Sequence, residues 1–473
     1  MAEQNYPLLL LPTPTIADRD PGHGGGSKIH RPPIERQSAR IGPKFTTLNQ
    51  VFEARRLSLQ QLAPGENPEL VLVLETIGAV DDFAKAVAKV PTLEWLVEWE
   101  EDGIPPDDDF YEVDKQGNKK DKSLSGRLFL LGTNREALDQ LLTLWNRYRI
   151  DPTAKFDRGL APFRHVFEQL KDSRPWSIED RVGKDVREYW QGRLDENAQT
   201  IRFEIEAWYS AAQGKNETAR VQITSRVNQL GGQVLSRVLL TEIAYHGFLV
   251  ELPGAALAAI LGGETPELVL SDRIMFFRPK AQSITKAPEV GEVIPFDGAA
   301  GEVAAPPIVA LLDGLPMQNH VLLAGRIEVD DPDGWEAGYE AKDRTHGTAM
   351  ASLILRGELD AGATPLTRRL YVRPVLRPDP TDNYHDRRHE HTPDDVLLID
   401  LIHRAVKRIC EGDAGEPPAA PTVRVINLSI GDDSRVFDRV MSPWARLLDW
   451  LAFKYRVLFV VSAGNDSGAL RTL

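Results

Sequence analysis

Ile308-Val309-Ala310-Leu311-Leu312-Asp313-Gly314 is an unbroken apolar run that stops at an acid and a glycine. A run of this length, bounded by turn residues, predicts a strand buried on both faces. Similar β-branched or apolar runs recur at 370–375, 423–430 and 457–462, and helical spacing fills the intervals at 346–355, 394–410 and 443–455. Strands alternating with helices predict an α/β fold over 306–473, a doubly wound parallel sheet with helices on both faces. In such sheets chemistry gathers outside the carboxyl ends of the strands.

Upstream, 281–305 is rich in Ala, Pro, Gly and Glu without apolar period and reads as a linker. Before it, 199–280 reads β-α-β-β-α-β, a ferredoxin-like α+β unit. Its first strand, 201–208, alternates apolar and charged residues as a half-buried strand should, and its central strands turn near His246-Gly247. A helical bridge spans 156–198. Residues 66–155 give a first ferredoxin-like unit in the order β-α-β-β-α, with a polar insertion at 102–125 and Asn134 placed to cap a helix. Residues 1–65 read as a flexible arm that is basic up to Arg40. Its run Gly22-His23-Gly24-Gly25-Gly26-Ser27-Lys28 lacks the spacing of a phosphate loop and has no strand before it.

The 473 residues carry 70 acidic and 56 basic side chains, a formal charge of -14. That field repels polyanions and disfavours nucleic acid as a partner, although 28–56 is locally basic. A single cysteine, Cys410, cannot form an intrachain disulfide, which suits a reducing compartment. No run reaches the roughly 18–20 apolar residues of a membrane span. Leu8–Leu11 is too short, and lacks the basic start, for a secretory signal. A cytoplasmic protein without membrane association is expected.

Three groups fall at the predicted strand and helix ends. Asp313 ends the first strand. His346 opens a helix in Thr345-His346-Gly347-Thr348-Ala349-Met350-Ala351, and Asn465 ends the last strand in Val461-Ser462-Ala463-Gly464-Asn465. An Asp can fix the tautomer of a His that takes a proton from a hydroxyl, and an amide can hold a developing oxyanion. Each alone reads as a turn or a helix start. Together, in this order, they form a constellation.

These blocks resemble subtilisin-like serine peptidases, whose acid, base and nucleophile follow the order Asp, His, Ser. The separation of 33 residues between Asp313 and His346 fits that family. The resemblance implies a serine endopeptidase acting on polypeptides, with Asp313 orienting His346 and Asn465 as oxyanion donor. It also implies that substrate backbone lies along Ser429, Ile430 and Gly431, within Asn427-Leu428-Ser429-Ile430-Gly431, and along Ser462, Ala463 and Gly464. The unit at 199–280 is similar to the family's propeptide, which implies docking on the catalytic domain with residues 278–281 directed toward the groove beside Ser429. Unsecreted relatives with long amino-terminal regions, encoded beside an AAA-type ATPase in phage-defence modules, imply an ATPase partner.

The departure concerns the nucleophile. The family places it in a Gly-Thr-Ser-x-Ala pattern roughly 150 residues after the His, whereas 127 residues follow His346 here. Ser352, Ser429, Ser434, Ser442, Ser462 and Ser467 all lack that context. The expectation is an incomplete catalytic domain without its nucleophile and without hydrolytic activity. A fragment is preferred to a lost nucleophile, because ending at 457–462 leaves apolar sheet surface uncovered. The alternative is a non-catalytic peptide-binding or regulatory pseudo-protease. No cofactor is expected. The histidines 385, 389 and 391 could be read as zinc ligands, but Arg387 and Arg388 between them suit a solvated loop. Asp330-Asp331-Pro332-Asp333-Gly334 could hold calcium, but a polar loop is the simpler account.

Overall fold

The structure is a computed structural model and describes residues 28–62, 69–280, 284–285, 303, 305–357, 364–382, 387–413, 415–430 and 441–462. Residues 1–175 and 176–473 form two units. In the first, strands Leu70–Ile77, Glu94–Ile104, Leu124–Thr133 and Leu170–Pro175 make an antiparallel sheet whose chain order across the sheet is 4-1-3-2, the ferredoxin-like order. The fourth strand corrects the helical bridge at 156–198. Lys171-Asp172-Ser173-Arg174 has no apolar period, but an edge strand needs only a backbone partner, here Leu72–Thr76.

The expected arm is corrected as well. Ile34–Leu62 is one helix, and Ile41, Phe45, Leu48 and Phe52 form a buried stripe beneath it. Gly42-Pro43 argues against a helix, since an interior proline costs about 3 kcal/mol. Burying four large apolar side chains, at roughly 1.5–3 kcal/mol each, outweighs that cost. The polar insertion contributes a short strand, Tyr111–Val113, that pairs with Lys28–His30.

In the second unit, strands Thr200–Ala207, Gln233–Leu240, Tyr245–Pro253 and Ile274–Pro279 repeat the 4-1-3-2 order. The turn between the central strands falls at Thr241–Ile243, with Ala244 at φ 49°, and not at His246-Gly247. Phe203 and Ile205 point into a core where Trp190 packs edge-on against Phe203 and Phe277. The alternate residues, Glu204 and Glu206, are buried too. The expected half-solvated face therefore lies inside the unit. Glu204 accepts a hydrogen bond from Tyr245 (2.6 Å), and Glu206 pairs with Arg278 (2.6 Å) and Arg446 (2.5 Å).

The carboxy-terminal sheet is parallel. Its strands run Ile327–Val329, Leu370–Pro374, Val309–Asp313, Val425–Leu428 and Leu458–Val461 across the sheet. The Asp313 strand is central: the connection after it runs to one side of the sheet and the connection after Val425–Leu428 runs to the other, so the switch point lies between these two neighbouring strands. Ala310 and Leu312 face helices Leu398–Cys410 and Pro443–Tyr455, while Leu311 faces helix Thr345–Arg356 on the other side. Ile327–Val329 is a three-residue strand that the sequence pattern does not mark. On the last strand Leu458, Val460 and Val461 are 61%, 46% and 44% exposed.

The ferredoxin-like unit lies on those two helices. Leu240, Ile243 and Tyr245 share one apolar cluster with Leu398, Ile402, Leu447 and Leu451. Arg446 also donates to the Ile243 carbonyl (3.0 Å), and buried Lys280 pairs with Asp394. Glu206, 1% exposed between Arg278 and Arg446, is the polar centre of this contact. We expect Glu206→Ala to leave two guanidiniums facing an apolar seam and to lower unfolding stability by about 3–5 kcal/mol, measured by urea denaturation of the full chain. A loss under about 1 kcal/mol would mean that the pair behaves like a solvated one.

Candidate active site

Asp313 ends the central strand, in register with Pro374, and Leu312 pairs with Leu428, which pairs with Val461. Asp313, Ser429 and Ser462 therefore stand along one carboxyl rim. Asp313 is fully buried; its Oδ1 accepts from the Gly314 N–H (2.5 Å) and lies 2.7 Å from His346 Nδ1.

His346 reaches Asp313 because the helix that carries it starts almost in contact with the strand end. A Cβ on Gly347 would sit 2.3 Å from the Gly314 carbonyl oxygen, so no other residue fits there without moving backbone. Thr348 strengthens the junction: its hydroxyl accepts from the Met317 N–H (2.9 Å) and donates to the Arg344 carbonyl (2.5 Å). The glycine of His-Gly is thus a requirement of this approach, whereas the glycine of Asp-Gly makes room for a different neighbour, the carboxyl of Glu390.

Electrostatics follow from burial. Burial alone disfavours the charged ring of His346, but the hydrogen bond and charge of Asp313 outweigh it and hold His346 above the ordinary histidine range. Burial also pushes Asp313 upward, opposed by His346 and the Gly314 N–H. With Nδ1 bonded to Asp313, Nε2 is the ring nitrogen free to exchange a proton with a substrate or nucleophile.

A second buried acid stands beside this pair. Glu390 is 3% exposed, and its Oε1 lies 1.8 Å from where a Gly314 Cβ would be. Tyr339 donates to it (2.7 Å), and burial pushes the carboxyl up to about 8. Sequence reasoning missed both residues. Glu390 lies among His389, Arg388 and His391, a polar stretch that reads as solvated, and only tertiary packing reveals its burial. Glu390–His391 is a short strand that pairs antiparallel with Ile284–Thr285 on one side and Arg377–Pro378 on the other. The chain leaving the ferredoxin-like unit thus meets this site at Glu390–His391. The sequence directed 278–281 to Ser429; Lys280 is found on Asp394 instead.

Of the expected backbone-binding residues, Ile430 is buried, and Ser429 donates to the Asn427 side chain (2.6 Å). The Ser462 N–H donates to the Leu428 carbonyl (3.1 Å). Gly431, Ala463, Gly464 and Asn465, with Ser434, Ser467 and His385, lie outside the described residues. Ser352 donates to the Ala349 carbonyl of its own helix, and Ser442 caps the helix at Pro443. The aspartates read as calcium ligands spend their oxygens on cations and a phenol: Asp330 on Arg408 (2.6 Å) and Tyr371 (2.5 Å), Asp333 on Arg373 (2.6 Å). That set does not suit calcium, which needs six or more free oxygens. His389 pairs with Asp382 (2.8 Å), and His391 Nδ1 lies 2.8 Å from the Thr392 carbonyl. Among the described residues no group of three or more His, Cys, Asp or Glu is arranged for a metal.

A buried Asp–His pair at the end of a central strand fixes one ring nitrogen and leaves the other available for proton transfer. Residues 305–472 match the subtilase family, Peptidase_S8. The subtilase match covers the parallel sheet and leaves both ferredoxin-like sheets outside it. No curated protein matches the chain. Among solved structures, an unknown protein from Galdieria sulphuraria is similar at 10% identity over 41% of this chain and 92% of that one, with a TM-score of 0.12 that carries no argument.

Two substitutions test the Asp313–His346 pair. Gly347→Ala should push the helix off Gly314 and cost about 1–3 kcal/mol by overpacking, read as a lowered Tm. Asp313→Asn removes the charge that outweighs burial, so the His346 titration midpoint should fall, measured by imidazole NMR. An unchanged midpoint would separate His346 from Asp313.

Proposed function

We propose that residues 306–473 form the acid–base half of a subtilisin-like serine endopeptidase acting on polypeptides. The buried 2.7 Å contact between Asp313 and His346 carries this reading. Asp313 fixes the ring so that Nε2 accepts the proton of an attacking hydroxyl, then stabilises the imidazolium until the proton passes to the leaving amine. Asn465 would hold the developing oxyanion, and 429–431 with 462–464 would align substrate backbone. No cofactor takes part. None of the serines after His346 has the family's nucleophile context, so the chain as given lacks its nucleophile.

The unit at 199–280 fits a propeptide-like role. It docks through Tyr245, Glu206 and Lys280, and the strand it sends forward adds to the edge at Glu390–His391, as an extended peptide would. That added strand also favours a second reading, a pseudo-protease that binds peptide and does no chemistry. Family analogy alone supports an AAA-type ATPase partner, a role in phage defence and a cytoplasmic location. Among the described residues no helix is long and apolar enough to cross a membrane.

In subtilisin, loss of the nucleophile costs about 10⁶ in kcat. The 473-residue chain should therefore hydrolyse neither casein nor fluorogenic peptides at a detectable rate. Fusing a segment with the family's Gly-Thr-Ser-x-Ala pattern should give phosphonate-sensitive turnover that His346→Ala abolishes. Turnover by the chain itself would assign one of its own serines, Ser467 first. A fused chain that binds peptide and stays inactive would establish the pseudo-protease.

A further inference from the structure

We propose that Glu390 is a second carboxyl of the site, a positioning residue held uncharged by its burial. It seats the Asp313–Gly314 turn so that His346 has one carboxylate partner and not two. This rests on the reading of Asp313 and His346 as an acid–base pair.

The geometry is restrictive. Glu390 Oε1 occupies the space of a missing Gly314 Cβ, so carboxyl and turn are packed directly together. Among the described residues its carboxyl has a single donor, the Tyr339 hydroxyl at 2.7 Å, and no Lys or Arg forms an ion pair with it. A carboxylate buried without a cation is costly, and protonation removes most of that cost.

The groups around it agree. Asp313 and Asp343 raise its proton affinity, while His346 and the Tyr339 hydrogen bond lower it. The guanidinium of Arg388, two residues before it in the chain, is committed to Asp343 at 2.5 Å. The Leu376 carbonyl lies 2.9 Å from the same hydroxyl and competes with Glu390 for its single proton.

The consequence lies at His346. An ionised Glu390 adds negative charge that raises the proton affinity of the ring beyond what Asp313 sets. A base too avid for protons is charged at working pH and cannot accept one from a hydroxyl. Keeping Glu390 neutral limits that effect while its bulk holds the turn in place. Because the backbone of Glu390 pairs with 284–285, whatever strand lies on this edge rests against the acid that seats the turn.

The test uses the full chain, which needs no nucleophile, with labelled histidine and the His346 imidazole shift followed from pH 4 to 10. The wild type should show the ring's own titration and a second inflection near pH 8 as Glu390 ionises. Glu390→Gln, a neutral isostere, should keep the ring titration and remove the second inflection. Tyr339→Phe removes the bond that favours the carboxylate and should move the inflection upward. A wild type with one inflection, or a second inflection that persists in Glu390→Gln, would overturn the proposal. Asp313→Asn distinguishes the two readings: if it leaves His346 unmoved, the pair itself fails, whatever Glu390 does.

Discussion

The site depends on one contact between two backbones. The helix that begins at Thr345 meets the turn after Asp313 so closely that a methyl group on Gly347 would overlap the Gly314 carbonyl. Without that approach the imidazole of His346 could not reach a carboxylate sunk at the end of a central strand. A fully buried aspartate cannot extend toward its partner, so the partner's backbone must come to it. Two glycines make this possible, one giving way to the helix and the other to the carboxyl of Glu390.

A similar economy governs the ferredoxin-like sheet of the second unit. Its strand Thr200–Ala207 has an apolar face and an acidic face, and both are buried. Glu206 survives there because guanidiniums from two different elements reach it: Arg278 from its own sheet and Arg446 from the helix beneath. Burying an acid between two bases is weak as a source of net stability, because desolvation cancels most of the attraction. It is strong as a specifier. A sheet docked in any other register would leave Glu206 with Arg278 alone and take its carboxylate away from Arg446, so the acid favours one arrangement. The surrounding Leu240, Ile243 and Tyr245 supply the area.

Legibility from sequence follows the same physics. The strands at 309–313, 370–374, 425–428 and 458–461 and their three helices were readable because each strand is a continuous apolar run bounded by turn residues, even at 458–461, where the run is exposed. Asp313 and His346 were readable because each precedes a glycine at a strand or helix end, and both glycines are fixed by packing: Gly347 against the Gly314 carbonyl and Gly314 against the Glu390 carboxyl. The edge strand at Leu170–Pro175 was not readable, since its polar residues carry no period and its stability comes from backbone pairing. Ile34–Leu62 was hidden by Gly42-Pro43, where tertiary burial overrides local propensity. Glu206 was read as solvent-facing for a related reason. Alternation tells which residues share a face, and only the fold tells what lies against it.

Glu390 is the limiting case. Within a two-residue strand, its side chain packs on Gly314 and its backbone faces Thr285. His391, the alternate residue, points to the other side, near Asp394, where Lys280 is anchored. One short strand therefore meets the Asp313–His346 pair through a side chain and the chain leaving the ferredoxin-like unit through its main chain. A strand is suited to this, because its side chains and its hydrogen-bonding groups project along different directions. The arrangement makes occupation of the edge and the electrostatics of His346 parts of one structure. Ile284–Thr285, laid along that strand, pairs with the backbone of the residue whose carboxyl packs on the turn after Asp313.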